Sequence, residues 1–96
     1  MEKKLIKIYL STIEERYLPF SKVVKKYSLK QFKEDKKSCE KHSKTYFLCK
    51  TKNGSTYIKK FNPFTQVYDK AELYVNKETD VNVIKNDIEE IKAILK

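Results

Sequence analysis

Lys30, Lys33, Lys37, Lys41 and Lys44 recur at spacings of three and four residues. On a helix turning roughly 100° per residue their ammonium groups fall within an arc of about 80°. A row of flexible point cations suits the evenly repeated charges of a phosphate backbone. A second cationic group, Lys50, Lys52 and Lys59, lies in TYFLCKTKNGSTYIKKF (residues 45–61), a stretch with four lysines and no acid. Tyr46 and Tyr57 stand among these lysines and offer ring faces for stacking on bases or sugars. The candidate phosphate contacts are therefore Lys30, Lys33, Lys37, Lys41, Lys50, Lys52 and Lys59, with Tyr46 and Tyr57 as the stacking rings.

Other chemistries are thinly represented. Cys39 and His42 sit at i and i+3, and Cys49 follows in the lysine-rich stretch, which makes three zinc-type ligands. A structural zinc site takes four, and no further Cys or His remains, so a small buried Cys and a surface His are expected rather than a metal site. One histidine, one arginine and one glycine remove most nucleophile–base triads and any glycine-rich phosphate cradle. The pairs Glu14-Glu15 and Glu89-Glu90 read as helix capping and as a solvated helix face. No catalytic activity and no cofactor are expected.

Ninety-six residues make a single domain, 1–96, and 40% hydrophobic residues with seven Tyr and five Phe supply its core. The net charge of +9 rests on 21 lysines and Arg16. So little arginine argues against base-specific readout by planar side-chain forks. Between Ser21 and Phe61 there are 13 lysines against Glu34, Asp35 and Glu40, so half of the chain is strongly basic. Two cysteines make no disulfide framework, MEKKLIKIYLS lacks the apolar run of a signal sequence, and no segment approaches the ~20 apolar residues of a membrane span. A cytoplasmic chain with reduced thiols and no membrane contact is expected.

The elements that must position these residues are legible to different degrees. Ile6, Ile8 and Leu10 alternate with Lys7 and Tyr9, the period of a half-buried strand over 4–10. Ser11 and Thr12, each three residues before Glu14 and Glu15, predict a short helix that ends before Pro19; Ser21 restarts it for one or two turns through SKVVKKY, with Val23, Val24 and Tyr27. Ser28 and Gln31 form another capping box, opening the helix that carries the lysine rail toward His42, with Leu29, Phe32 and Cys39 on a thin apolar stripe. Asn53-Gly54 predicts a two-residue type I′ turn that pairs Lys52 with Ser55. That register puts Tyr46, Leu48, Lys50, Tyr57, Lys59 and Phe61 on one face and Phe47, Cys49, Thr51, Thr56, Ile58 and Lys60 on the other. After a turn at Asn62-Pro63, residues 64–75 read as one long irregular strand or two short ones. Thr79 or Asp80 caps a final helix over 81–96, where Val81, Ile84, Ile88, Ile91 and Leu95 recur at helical spacing. That stripe fits docking on the open face of the sheet, or a homodimer seam between two copies.

The expected fold is α+β: a small antiparallel sheet from the 45–61 hairpin and the 64–75 strand, joined by the N-terminal strand, with helices on one face and an amphipathic C-terminal helix. The order of KVVKKYSLKQFKEDKK followed by KTKNGS resembles a winged helix, with the first stretch as helix-turn-helix and the second as wing tip; Ser28 stands where such turns often have Gly. In length, charge and mixed content the chain is also similar to small ribonuclease toxins, which implies RNA cleavage dependent on Tyr57 or His42. The leading expectation is a small basic intracellular module that binds DNA or RNA, or a nucleoprotein, through backbone phosphates with little sequence specificity. The alternative is an inhibitor or adaptor of the kind phages and mobile elements encode, gripping an acidic surface on a host protein.

Overall fold

The computed structural model describes residues 4–11 and 24–95. Strands β1 (Lys4–Ser11), β2 (Val24–Ser28), β3 (Tyr46–Lys50), β4 (Thr56–Asn62) and β5 (Val67–Asn76) accompany helices α1 (Leu29–Lys41) and α2 (Val81–Leu95). The strands form one antiparallel sheet in the order β2-β1-β5-β4-β3, so the N-terminal strand lies inside the sheet against the last one. The helix expected from Thr12 to Pro19 lies outside the described residues. Its continuation through SKVVKKY is overturned from Val24 onward, because Val24–Ser28 pairs with β1 as an edge strand. The winged-helix likeness falls with it, since a strand stands where the first recognition-domain helix would be.

Ser28 ends β2 and launches α1. Its hydroxyl accepts from the Gln31 N–H at 3.2 Å, and Gln31 Oε1 accepts from the Ser28 N–H at 3.4 Å, the reciprocal capping box read from the sequence. Asp80 opens α2, its Oδ1 accepting from the Asn82 N–H at 2.7 Å.

The helices lie on opposite faces of the sheet, not on one. Ile84, Ile91 and Leu95 of α2 pack on Ile8, Leu10, Tyr57, Ala71, Leu73 and Val75. Phe32 and Cys39 of α1 pack on Ile58, Tyr74, Tyr27 and Tyr46 on the other side. The cause is visible in β5, where Ala71, Leu73, Tyr74 and Val75 are all buried: a central strand apolar on both faces needs a cover on each. Because the α2 stripe is consumed by this packing, the homodimer seam through Val81, Ile84, Ile88, Ile91 and Leu95 is not available; Ile84, Ile91 and Leu95 are buried in the chain's own core and Ile88 packs against it.

The hairpin register differs from the expected one by a single residue. Thr51 donates its N–H to Ser55 O at 2.8 Å and Gly54 donates to Thr51 O at 2.9 Å, so the loop is a type I turn closed by Gly54 at φ +85°. Asn53 keeps an ordinary φ because its side chain is held elsewhere, donating from Nδ2 to Asp87 Oδ1 at 3.0 Å. Ser55 Oγ donates to the other oxygen of Asp87 at 2.6 Å, and the Lys52 N–H lies 3.2 Å from both oxygens of Glu90. The C-terminal helix thus clamps the turn. Cys49 now faces Tyr57 and Phe47 faces Lys59, while Leu48 faces Ile58 and Tyr46 faces Lys60. Every side chain of β4 moves to the face opposite the one expected.

At the next turn Asn62 Oδ1 accepts from the Phe64 N–H at 2.9 Å, and Gln66 takes φ +57° to return the chain into β5. Residues 64–66 thereby belong to the loop, and the strand expected over 64–75 runs unbroken from Val67 to Asn76. Its one irregularity is a shift opposite Lys60 and Phe61, where Asp69 is the extra residue.

Candidate nucleic-acid interface

Helix α1 crosses its face of the sheet from the end of β2 to the start of β3 and turns Phe32 and Cys39 toward the strands. Lys30, Lys33, Lys37 and Lys41 are consequently exposed along its outer side, and Lys44 is exposed in the loop beyond. Lys50 projects from the same face of the sheet as α1 and is exposed; Tyr46 shares that face, half-buried, with its ring 6.1 Å from the His42 ring.

The remaining expected contacts are placed elsewhere. Tyr57 is 4% exposed beneath α2 and cannot stack on a base; burial first, then Cys49 and the charge of Glu90, push its hydroxyl up to about 12. Lys59 lies on the α2 face, its ammonium 4.1 Å from the Tyr68 ring centroid and 6.0 Å from that of Phe47. Lys52 is exposed at the hairpin tip, between the faces. His42 and Tyr57 stand on opposite sides of the sheet.

The same register shift brings in cations that sequence reasoning missed. Lys60 and Lys70 are directly opposite each other on β4 and β5, half-buried on the α1 face, and the Lys60 ammonium lies 5.6 Å from the Tyr46 ring centroid. Like charges directly across a ladder repel. Among the described residues neither lysine has an ion pair, and neither do Lys30, Lys33, Lys37, Lys41 or Lys50. The nearest acid along the face, Glu72, is engaged: its Oε1 is 3.1 Å from Lys7 Nζ and its Oε2 accepts from the Tyr74 hydroxyl at 2.6 Å.

Beneath α1 these groups form a polar cluster. The Tyr27 hydroxyl donates to Asp35 Oδ2 at 2.5 Å, and the Tyr74 hydroxyl is also 3.0 Å from that oxygen; having one proton, it serves Glu72 or Asp35 at a time. Burial and these carboxylates hold the Tyr74 hydroxyl far above its ordinary range, and burial and Asp35 raise Tyr27. Burial alone would lower Lys7, but Glu72 and Tyr27 outweigh it and its ammonium stands above the usual value. Burial, with the nearby charges of Cys49 and Glu40, also raises the Cys39 thiol, which disfavours the reactive thiolate. A cleft of about 200 Å³ opens here, lined in part by Lys7, Tyr27, Asp35, Ser38, Tyr46 and Glu72. It adjoins a second cleft of about 100 Å³ whose walls include Tyr9, Tyr46, Lys60, Lys70 and Glu72.

Cys39 and Cys49 belong to opposite faces, and among the described residues no group of His, Cys, Asp and Glu is placed to hold a metal ion. No described helix is long and apolar enough to cross a membrane. No family model, no curated protein and no solved structure matches this chain.

Proposed function

We propose that this protein is an intracellular, non-catalytic module that binds nucleic acid through backbone phosphates on the face bearing α1. The observation that carries the reading is the exposed row Lys30, Lys33, Lys37 and Lys41, which has no ion pair among the described residues and shares its face with Lys50, Lys60, Lys70 and Tyr46. Lys59 and Tyr57 are withdrawn from the interface, and Lys60 takes the place given to Lys59. Lysine-dominated contact without arginine forks implies tolerance of sequence.

Binding to duplex DNA and RNA across a salt series tests this. Five phosphates neutralised by Lys30, Lys33, Lys37, Lys41 and Lys50 give a slope of log K against log salt of about −4.5 on B-DNA. A Lys33→Gln, Lys37→Gln variant flattens the slope by about two, whereas Lys59→Gln leaves it unchanged. No binding to either polymer at about 50 mM salt rejects the reading.

A protein partner is the second reading, favoured by the apolar side chains left open at one end of the sheet: Phe47 and Leu48 on edge strand β3, and Phe64, 96% exposed, at the β4–β5 loop. An inhibitor or adaptor would bury these side chains against its partner while the neighbouring lysines meet an acidic surface on it.

A further inference from the structure

We propose that the paired clefts beside α1 form a subsite for one nucleotide: a phosphomonoester held between Lys60 and Lys70, with an amino-bearing base entering the polar cluster at Asp35 and Glu72. The inference rests on the nucleic-acid reading of this face, and it names the chemical unit that the face grips.

Two features of the geometry point to it. The first is the charge arrangement at the mouth. Lys60 and Lys70 are cross-strand neighbours, half-buried, and no described carboxylate neutralises them. A directly opposed pair of like charges is unfavourable in an antiparallel ladder, and a bound dianion reverses the sign of that interaction. The second feature is the interior. Tyr46 and Tyr9 stand on the outer strand and on β1, with Lys60, Lys70 and Glu72 between, so a ring that enters the groove meets an aromatic wall. Deeper in, Asp35 and Glu72 present acceptors. Glu72 has one bond on each oxygen, and Asp35 Oδ1 makes no hydrogen bond among the described residues. Each carboxylate oxygen accepts two bonds, so capacity remains for the exocyclic amino group of adenine, cytosine or guanine. The two clefts share Tyr46, Ile58 and Glu72 and adjoin at these side chains. Together they stand at the lower end of small-molecule site volumes, roughly 300 Å³. A terminal nucleotide of a strand and a free nucleotide present this same chemistry.

The test uses the full chain and measures affinity for AMP, adenosine and inorganic phosphate, with amide spectra recorded on each addition. AMP is expected to bind at least tenfold more tightly than adenosine or phosphate, and to shift the amides of Lys60, Lys70 and Glu72. Lys60→Gln and Lys70→Gln are each expected to weaken AMP about tenfold, the loss of one charge-assisted contact. Both variants keep their fold, as their own amide spectra report, because each removes a repulsion. A 5′-phosphorylated oligonucleotide that outcompetes its 5′-hydroxyl form assigns the subsite to strand ends; AMP binding without that preference assigns it to free nucleotides, and either outcome supports the proposal. AMP binding no better than inorganic phosphate, or indifferent to both glutamine variants, overturns it. Duplex binding that persists with its full salt slope while AMP fails removes the subsite and leaves the phosphate-binding face; AMP binding without any duplex binding does the reverse.

Discussion

Replacing Asp87 by alanine should cost about 2–4 kcal/mol, a large part of the roughly 5–14 kcal/mol expected for a domain of this size. Asp87 is 1% exposed on α2 and receives two hydrogen bonds from the β3–β4 turn, from Ser55 Oγ at 2.6 Å and Asn53 Nδ2 at 3.0 Å. A bond to a charged group contributes about 1.5–3 kcal/mol net. The two do not simply add, because exposed Asn53 recovers water on truncation whereas half-buried Ser55 recovers less. Urea denaturation of Asp87→Ala, Ser55→Ala and the double variant reads the effect directly. Ser55→Ala alone should lose about 1.5–3 kcal/mol, since it leaves the carboxylate one donor short. The double variant should lose less than the two single losses together, by about 1–2 kcal/mol of coupling. A loss under about 0.5 kcal/mol for Asp87→Ala, or strict additivity, would refute the idea that the C-terminal helix holds the hairpin turn.

Three further outcomes follow from the packing and the proton balance. Tyr57 is neutral in the fold up to about 12 against an ordinary 10.0, so its contribution is complete below about pH 10 and is lost as pH rises toward 12; Tyr57→Phe should remove about 2–3 kcal/mol of that alkaline loss, and an unchanged pH profile by circular dichroism counts against it. Tyr27, Tyr74 and Lys7 are raised as well and push in the same direction, so the natural chain weakens from about pH 10 upward. Ile91→Ala, at a fully buried position between α2 and the sheet, should lower stability by about 2–4 kcal/mol in thermal unfolding, and a loss below about 1 kcal/mol would place α2 elsewhere. Gly54→Ala meets no atom within 4 Å, so its cost should come from φ +85° alone, about 1 kcal/mol; no measurable change would mean that the turn is not the one described.

The parts of the fold written in short-range patterns were legible. Ser28 and Gln31, the alternation of Ile6, Ile8 and Leu10, and the 3-and-4 spacing of Ile84, Ile88, Ile91 and Leu95 each need only a few neighbours to act, and each element stands where its residues place it. The hairpin register was not legible, for two reasons. Asn53-Gly54 favours a two-residue turn in isolation, but Asp87, 34 residues away, takes the Asn53 side chain and leaves only Gly54 left-handed. Nor could burial in β4 correct the reading, because Tyr57 and Ile58 are adjacent and both buried, one under each helix. A strand covered on both sides has no alternation to read. Val24–Ser28 misled for another reason: its strand form depends on pairing with β1 rather than on its own short-range pattern. Of the candidate interface, the α1 rail came from one helical wheel, while Lys60 and Lys70 meet only through the β4–β5 register and Lys7 meets Glu72 only through the pairing of β1 with β5, far apart in sequence.

The separation of the two faces explains how the α1 rail can hold Lys30, Lys33, Lys37 and Lys41 without an ion pair among the described residues. On the α2 side, Ile8, Leu10, Leu73, Val75, Ile84, Ile91 and Leu95 form the larger apolar cluster, and the deeply buried carboxylate of Asp87 is satisfied by the hairpin turn. That side supplies most of the hydrophobic stabilisation, which scales with apolar area removed from water. The α1 side holds a smaller apolar cluster and a network of tyrosines and carboxylates, and α1 itself contributes little beyond Phe32 and Cys39. Its outer surface is therefore free of packing demands and can carry mutually repelling lysines without loosening the larger core. Such repulsion is screened within about 10 Å at 0.1 M salt, so it costs little in the free protein, and contact with a polyanion converts it into attraction. The larger apolar core and the lysine rail thus lie on opposite sides of β5. Substitutions on the α1 rail should accordingly change binding without changing the fold, which is the condition under which the salt-slope experiment can be interpreted.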